Sequence, residues 1–558
     1  MSSLHLLPGT LITTIIEYIT NKSTAGNAGL KYIGCLNKTY YNMIIEQLNY
    51  GTLPYYIKYS NYILHKFTTT NIYDNATHLS MLFHTHTTNY DILQLNYKQF
   101  YSVVLTHNMY ITDELISVFN NAHSLDLSYC KNITDDAINN NNLFVHNLNL
   151  TGCKNITGST FKYLNGIQRL NISNCDNITD DAFEQLRRGS DYYNIDTLDI
   201  SSCNNITNKG LMNFKNIHTL NMSRCEYITD DIFKHISGLH TLDISNCKNI
   251  TDTAFIYIGE RNRIHALDIS SCNGLTDVIF KYMNVQYIHT LNMTMCLQIT
   301  DDAFQYFVGC KIHSLNITYC NQITDKGLQY FAPVNNNNSK LHTLNISYCN
   351  KITDIGLSYI VNIKKLIICA NANITNIGLN YFNEHNLQSL SIAFCNQITN
   401  VGLQNLTTLH TLSITDCYNI TDTVFIHLHN LQYLRICSCE NITDNAFNYF
   451  ANSSIGGVAL ANSSIGGVAL VEQKLHSLYL TDCVNITDNG LQQLQQLHTL
   501  YIARCHNITG IVIYDLKQLN KLQLIDCNNI NADIIPYIID NIYLYYLIHC
   551  HSIRFLHN

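Results

Sequence analysis

The chain has 558 residues, 46% of them hydrophobic and 13% charged, with a formal net charge of -8 at pH 7. That composition supplies a large core and leaves Asn, Ser and Thr to furnish most of the polar surface, which excludes an intrinsically disordered chain. The 32 Lys and Arg residues are scattered and form no basic stripe, so no nucleic-acid partner is expected.

Taken from the start, Met1 to Ile19 has no basic leading region, and Ser, His, Gly and Thr interrupt its apolar residues. It reads neither as a signal peptide nor as a membrane span, and no later run is long enough to span. Pro8 stands at a helix start, followed by apolar residues at helical spacing: Leu11, Ile12, Ile15, Ile16 and Ile19. Leu30, Ile33, Leu36 and Tyr40 continue with the same period. The spacing predicts two or three short amphipathic helices in residues 1–50, too little to be stable alone. Such a segment must pack on a partner or cap the first repeat. Residues 51–95 are read as a linker and N-terminal cap.

From about residue 96 the cysteines set a rhythm. Cys130, Cys153, Cys175, Cys203, Cys225, Cys247, Cys272, Cys296, Cys320 and Cys349 succeed one another at intervals of 22 to 29 residues. Cys395, Cys417, Cys439, Cys483, Cys505, Cys527 and Cys550 continue the series. Around Cys247, apolar residues fall eight, five and three places earlier (Leu239, Leu242, Ile244) and three later (Ile250). The pattern L-x-x-L-x-L-x-x-N/C-x-x-L/I is that of a leucine-rich repeat, and Asn108 and Asn371 fill the same ladder position in two further units. The Cys439–Cys483 gap is two periods long and holds a decamer, Ala451 to Leu460, repeated identically as Ala461 to Leu470. A degenerate extra unit and an inserted loop both fit.

The expected fold class is α/β. Residues 96–558 form a leucine-rich-repeat solenoid of about 19–20 units, a curved horseshoe with parallel strands on the concave face and short helices outside. Leu242, Ile244 and Cys247 point inward from a short strand, while Asp243 and Ser245 point outward. Thr251-Asp252 starts a short helix whose Phe255 and Ile258 cover the other side. Neighbouring parallel strands hold Cβ atoms farther apart than a disulfide allows, so the ladder thiols are expected to be reduced packing residues that donate to nearby carbonyls. Reduced thiols imply a cytoplasmic or nuclear compartment. There the many Asn-Ile-Thr sequons, such as Asn132-Ile133-Thr134, are by-products of the repeat.

Two surface columns stand out. His occupies the place seven before the ladder residue in most units, among them His123, His146, His218, His240, His313 and His498. Stacked at strand spacing, these rings repel one another when protonated, so acid would loosen the coil or change its surface; the other reading is a turn residue copied with the repeat. Four places before the ladder, the first half is uniformly Asp or Asn, with Ser or Thr two places on. The second half departs from this with Arg435, Tyr479, Tyr501 and Gln523, and with Phe394 and Arg504 beside the ladder. Tyr and Arg dominate interface energetics, so these six residues are the expected partner-binding site.

No catalytic constellation is present: no GxxxxGK[ST], no GxGxxG on a strand-to-helix turn, no GxSxG and no HExxH. The Thr-Asp pairs start helices. Neither Cys437-Ser438-Cys439 nor His549-Cys550-His551 has a second ligand pair at zinc spacing. No enzyme activity, cofactor or metal is expected.

Leu7-Pro8 with Leu11, Ile15, Ile16 and Ile19, and then Cys35-Leu36-Asn37-Lys38-Thr39-Tyr40-Tyr41, resembles an F-box. Joined to the units downstream, it makes the chain similar to the F-box/leucine-rich-repeat proteins of the cysteine-containing subfamily. The resemblance implies a substrate-recognition subunit of an SCF-type (cullin-RING) ubiquitin ligase, with Leu7, Pro8, Leu11, Ile15, Ile16, Leu36 and Tyr40 meeting the adaptor. The concave face would then bind an unknown target protein, and catalysis would belong to other subunits. The alternative is a free-standing interaction scaffold or inhibitor with no ubiquitin role.

Overall fold

The computed structural model describes residues 55–58, 79–82 and 100–548, apart from 121, 140–142, 165, 189–194, 213, 333–339, 384–386, 451–474 and 543. The helices expected in residues 1–50 and the last ladder residue, Cys550, lie outside the described residues. The chain forms two compact units, residues 1–284 and 285–558.

In the first unit, parallel strands succeed one another in chain order from Tyr55–Lys58 to Ala266–Asp268. Two of them, Tyr55–Lys58 and Leu79–Leu82, fall in the stretch read as linker and cap. Register places like on like: Leu220, Leu242 and Leu267 are Cα partners in succession. Leu242, Ile244 and Cys247 are fully buried, and Asp243 between them is not. Burying each such Leu or Ile stabilises by about 1.5–3 kcal/mol, and only a neighbouring turn can complete that burial. Opposite the strand, the Thr251 hydroxyl accepts from the Thr253 N–H and caps the helix Asp252–Arg261, which buries Phe255 and Ile258. Most of these outer pieces are shorter, many being single 3-10 turns such as Asp230–Lys234.

Three sets of hydrogen bonds recur between a turn and the one before. The ladder thiol donates to the carbonyl three residues before the preceding ladder position: Cys247 Sγ to Met222 O at 3.0 Å, Cys225 Sγ to Ile200 O at 3.1 Å. The Asn of Asn-Ile-Thr donates its amide to a backbone carbonyl of the preceding turn, as Asn249 does to Glu226 at 2.6 Å. The Asp after Thr accepts from both the N–H and the hydroxyl of the next turn's Thr: Asp230 from Thr251 at 2.7 and 2.5 Å. The sequon residues are therefore structural, each meeting a main-chain or side-chain group that would otherwise be unpaired.

The second unit is built the same way but changes strand length part-way. Up to Thr343–Asn345 each strand has three residues, because the Asn that ends it folds back: Asn345 Oδ1 accepts from Ser347 N at 3.0 Å. That N–H is thereby removed from the ladder. At Lys365–Cys369 the equivalent residue is Ile367, which has no acceptor, and the strand runs on for five residues. Five-residue strands persist through Ser389–Ala393, Thr411–Thr415, Tyr433–Cys437, Ser477–Thr481, Thr499–Ala503 and Lys521–Ile525. The thiols respond. Cys349 Sγ reaches Ile317 O at 2.9 Å, whereas Cys395 and Cys417 lie 3.7 and 3.8 Å from the equivalent carbonyls and turn to Ala393 O and Thr415 O at 3.2 Å.

The strand Tyr433–Cys437 pairs directly with Ser477–Thr481. Asp444 also accepts from the N–H and hydroxyl of Thr487, both at 2.7 Å, and Asn485 donates to Glu440 O. The turns of Cys439 and Cys483 are thus immediate neighbours, and the duplicated decamers supply no turn between them. Of the two readings of the double-length gap, insertion is the one the strand pairing supports.

Two variants check this. Deleting Ala451 to Leu460 should leave the stability measured by urea titration unchanged within about 0.5 kcal/mol, as expected for an insertion between two paired turns, whereas loss of a true repeat turn would lower it steeply. Asp444→Ala, which strips two bonds from a charged acceptor, should cost about 1–3 kcal/mol in the same titration.

Candidate interaction surface

The strand register of the second unit brings four of the six expected partner-binding residues into one row. Ser413 is the Cα partner of Arg435, Arg435 of Tyr479, Tyr479 of Tyr501, and Tyr501 of Gln523. All occupy the outward position between two buried residues; around Arg435 these are Leu434 and Ile436. The Tyr479 and Tyr501 rings stack with centroids 5.6 Å apart. Tyr433, which sequence reasoning missed, joins them at 4.8 Å from Tyr479. Burial and the Tyr479 ring push the Tyr433 phenol up, while Arg435 opposes the shift. Tyr433 was legible in principle, since it stands six places before the ladder, on the same outward face.

Phe394 and Arg504 lie on a different line. Each directly precedes its ladder cysteine, in a left-handed backbone conformation with φ of 53° and 51°. Every described ladder residue of this unit comes after a residue with positive φ, a region that favours Gly, Asn and Asp. Phe394 is 51% exposed there. Arg504 makes a bidentate pair with Asp482 at 2.8 and 2.6 Å, which stabilises its charge. Three turns separate Phe394 from Arg504, so the six residues form a row of four and two outliers. The adaptor-contact set Leu7, Pro8, Leu11, Ile15, Ile16, Leu36 and Tyr40 lies outside the described residues.

On the three-residue strands the outward positions carry mostly small polar groups. In the first unit Thr151 Oγ1 donates to Asn149 Oδ1 at 2.6 Å, and Asp199 Oδ2 accepts from the amides of Asn171 and Asn221 at 3.4 and 3.3 Å. These side chains satisfy one another. Asp243 is pushed up by burial and by the nearby Asp268 and Asp199 carboxylates.

Several histidine pairs stack as expected from their spacing, while His313–His342 and His476–His498 meet edge-on. Ring centroids are 4.6 Å apart for His123–His146, 5.0 Å for His218–His240 and 5.2 Å for His289–His313. Burial first, then the neighbouring rings, lower the pKa of His123 and His313 from 6.5. The Nδ1 atoms of His146, His240, His476 and His498 are buried with no partner, so an imidazolium there carries a donor without an acceptor.

Burial makes most of the described ladder thiols inert. Burial pushes Cys130 up to about 11 and Cys153 up to about 12, which keeps them protonated at neutral pH. Cys369 and Cys437 differ: both lie on the outward face and are partly exposed. Among the described residues no group of three His, Cys, Asp or Glu side chains is arranged to hold a metal ion. No helix among them is long and apolar enough to cross a membrane.

The Leucine Rich repeat family matches residues 194–215, 310–332, 337–361, 383–407 and 472–494. This chain carries leucine-rich repeats. The matches fall outside residues 1–50, and no curated protein matches the chain. Among solved structures, the fold is similar to that in a TLR13–ssRNA13 complex, with a TM-score of 0.52 at 16% identity over 79% of this chain. This chain covers 64% of that one. Weaker likenesses link it to the internalin inlF of Listeria monocytogenes (TM-score 0.37, 20% identity, 55% of this chain and 79% of that one). Another is to a yeast Rad7–Elc1 complex (TM-score 0.40, 17% identity, 72% and 95%). At these identities the likeness concerns the leucine-rich-repeat fold alone.

The histidine and thiol columns each lend themselves to a measurement. A depressed His pKa means that the unfolded chain binds protons more tightly, so the stability His123 and His313 support is complete above pH 6.5 and declines as pH falls below it. Denaturant midpoints at pH 7.5 and 5.5 should show the loss; equal midpoints would rule out the histidine stack as its source. In native alkylation read by peptide mass, Cys369 and Cys437 should react well before the buried ladder cysteines Cys130, Cys153, Cys247 and Cys349.

Proposed function

We propose that the chain is the substrate-recognition subunit of an SCF-type (cullin-RING) ubiquitin ligase. In this reading Leu7, Pro8, Leu11, Ile15, Ile16, Leu36 and Tyr40 hold the adaptor, and the outward strand face of residues 285–558 holds the target. Catalysis belongs to the partner subunits. The binding half rests on one observation: Arg435, Tyr479, Tyr501 and Gln523 stand side by side on adjacent strands, at the position where the three-residue strands carry Asp or Asn bonded back to their own backbone. Tyr and Arg supply large contact area at low conformational cost, and aligned on adjacent strands they form a preorganised platform. The ligase half rests on the F-box resemblance of residues 1–50.

Affinity capture from cells with the full chain and with a chain lacking residues 1–50 separates the two halves. Adaptor and cullin should be recovered by the first and lost from the second, while the target is retained by both. If neither recovers adaptor and cullin, the chain is an interaction scaffold without a ubiquitin role. Bound target should also slow alkylation of Cys437, which lies on the strand carrying Arg435.

A further inference from the structure

The outward strand positions of the two units differ in the sign of their charge. In the first unit, the strands from Ser124–Asp126 to Ala266–Asp268 present Asp126, Asp199, Asp243 and Asp268 against a single cation, Arg169. In the second, the strands from Thr290–Asn292 to Lys521–Ile525 present Lys365, Arg435 and Lys521 and no acidic residue. All three cations are exposed, and none of them forms an ion pair among the described residues. A basic face on a chain of net charge -8 runs against its overall composition.

The placement is regular. Two strands stand between Lys365 and Arg435, and two between Arg435 and Lys521, so each gap is about 14 Å across the strands at the usual spacing, with Arg435 set two residues along its strand from the line of Lys365, Tyr433 and Lys521. The second gap is filled by Tyr479 and Tyr501, with Tyr433 beside Arg435. The first is filled by hydroxyls and Ala393. Acidic residues occur only at the strand exits, as Asp416, Asp482 and Asp526, and Arg504 neutralises Asp482.

We propose that the strand face of residues 285–558 binds an extended, acidic segment of a partner protein that crosses the strands. The proposal rests on the reading of this face as the target-binding surface and adds the chemistry of the target. An extended chain advances about 3.4 Å per residue, so carboxylates about four residues apart reach successive cations. Residues between the second pair of carboxylates lie on the Tyr479–Tyr501 platform, which favours apolar or aromatic side chains. The opposite charge of the two units directs such a segment to the second and repels it from the first. Nucleic acid fits less well: backbone binding is driven by many Lys and Arg contacts to phosphates, and this face offers three cations flanked by carboxylates.

The test uses the full chain and a fluorescein-labelled random copolymer of glutamate and tyrosine, with binding read by anisotropy at 50 and 200 mM salt. Binding should weaken with salt, and the variant Lys365→Glu, Arg435→Glu, Lys521→Glu should bind about tenfold more weakly or worse. A control, Lys215→Glu, Lys281→Glu, Lys326→Glu, makes the same change in net charge away from the strand face and should bind within about twofold of the parent. Circular dichroism confirms that both variants fold. Equal loss in the control, equally tight binding of a lysine–tyrosine copolymer, or displacement of the probe by oligothymidylate would each overturn the proposal. Failure to recover adaptor and cullin, with copolymer binding intact, would instead overturn the ligase reading alone.

Discussion

Each three-residue strand among the described residues stops at a residue whose neighbouring carbonyl is left for the next turn to satisfy. The ladder residue meets it: Cys247 donates to Met222 O, and Asn371 donates to Ile346 O at 2.8 Å in the same manner. A small, buried donor is required at that point, and Cys and Asn both qualify. Asp at the helix start adds a second tie, holding the next turn's Thr by two atoms at once, as Asp354 holds Thr375. A turn therefore has few polar needs that it can meet by itself, and its Leu and Ile columns are buried only by its neighbours. Stability in such a chain belongs to interfaces between turns, which is why an insertion after Phe450 leaves the pairing of Tyr433–Cys437 with Ser477–Thr481 unaffected.

The same constraint leaves the outward strand positions free to vary. Where Asp or Asn stands four before the ladder, it folds back on the strand and consumes its own hydrogen-bonding capacity, as Asp243 does with Ser245 N at 2.9 Å. Such a face has few unmet groups to offer a partner. Replacing that residue with Ile367, Arg435, Tyr479 or Tyr501 lengthens the strand by releasing its backbone to the ladder, and at the same time exposes a side chain with no internal task. The change in strand length and the row of large outward side chains are thus two results of one substitution pattern.

The thiol and histidine columns show the cost of copying a residue into many turns. Stacked cysteines are tolerated because burial keeps them neutral. Stacked imidazoles are tolerated only while they remain neutral, which makes acid the condition under which the repeat works against itself.

Much of this was written in the sequence because a repeat states its rule many times. The spacing of Leu242, Ile244 and Cys247 alone set which side chains are buried, and the Thr-Asp pairs set where the outer turns begin. The row Arg435, Tyr479, Tyr501 and Gln523 could be found by counting back from the ladder, since parallel register aligns equal positions. Counting could not decide what residues 451–474 do, because a double-length gap fits a degenerate turn as well as an insertion; only the pairing of strands across it separates the two. Nor could it show that Asp230 bonds to Thr251 or that Asn249 bonds to Glu226 O, for those partners lie a full turn apart in sequence. Local periodicity fixes what each residue faces, and contact between turns decides what it touches.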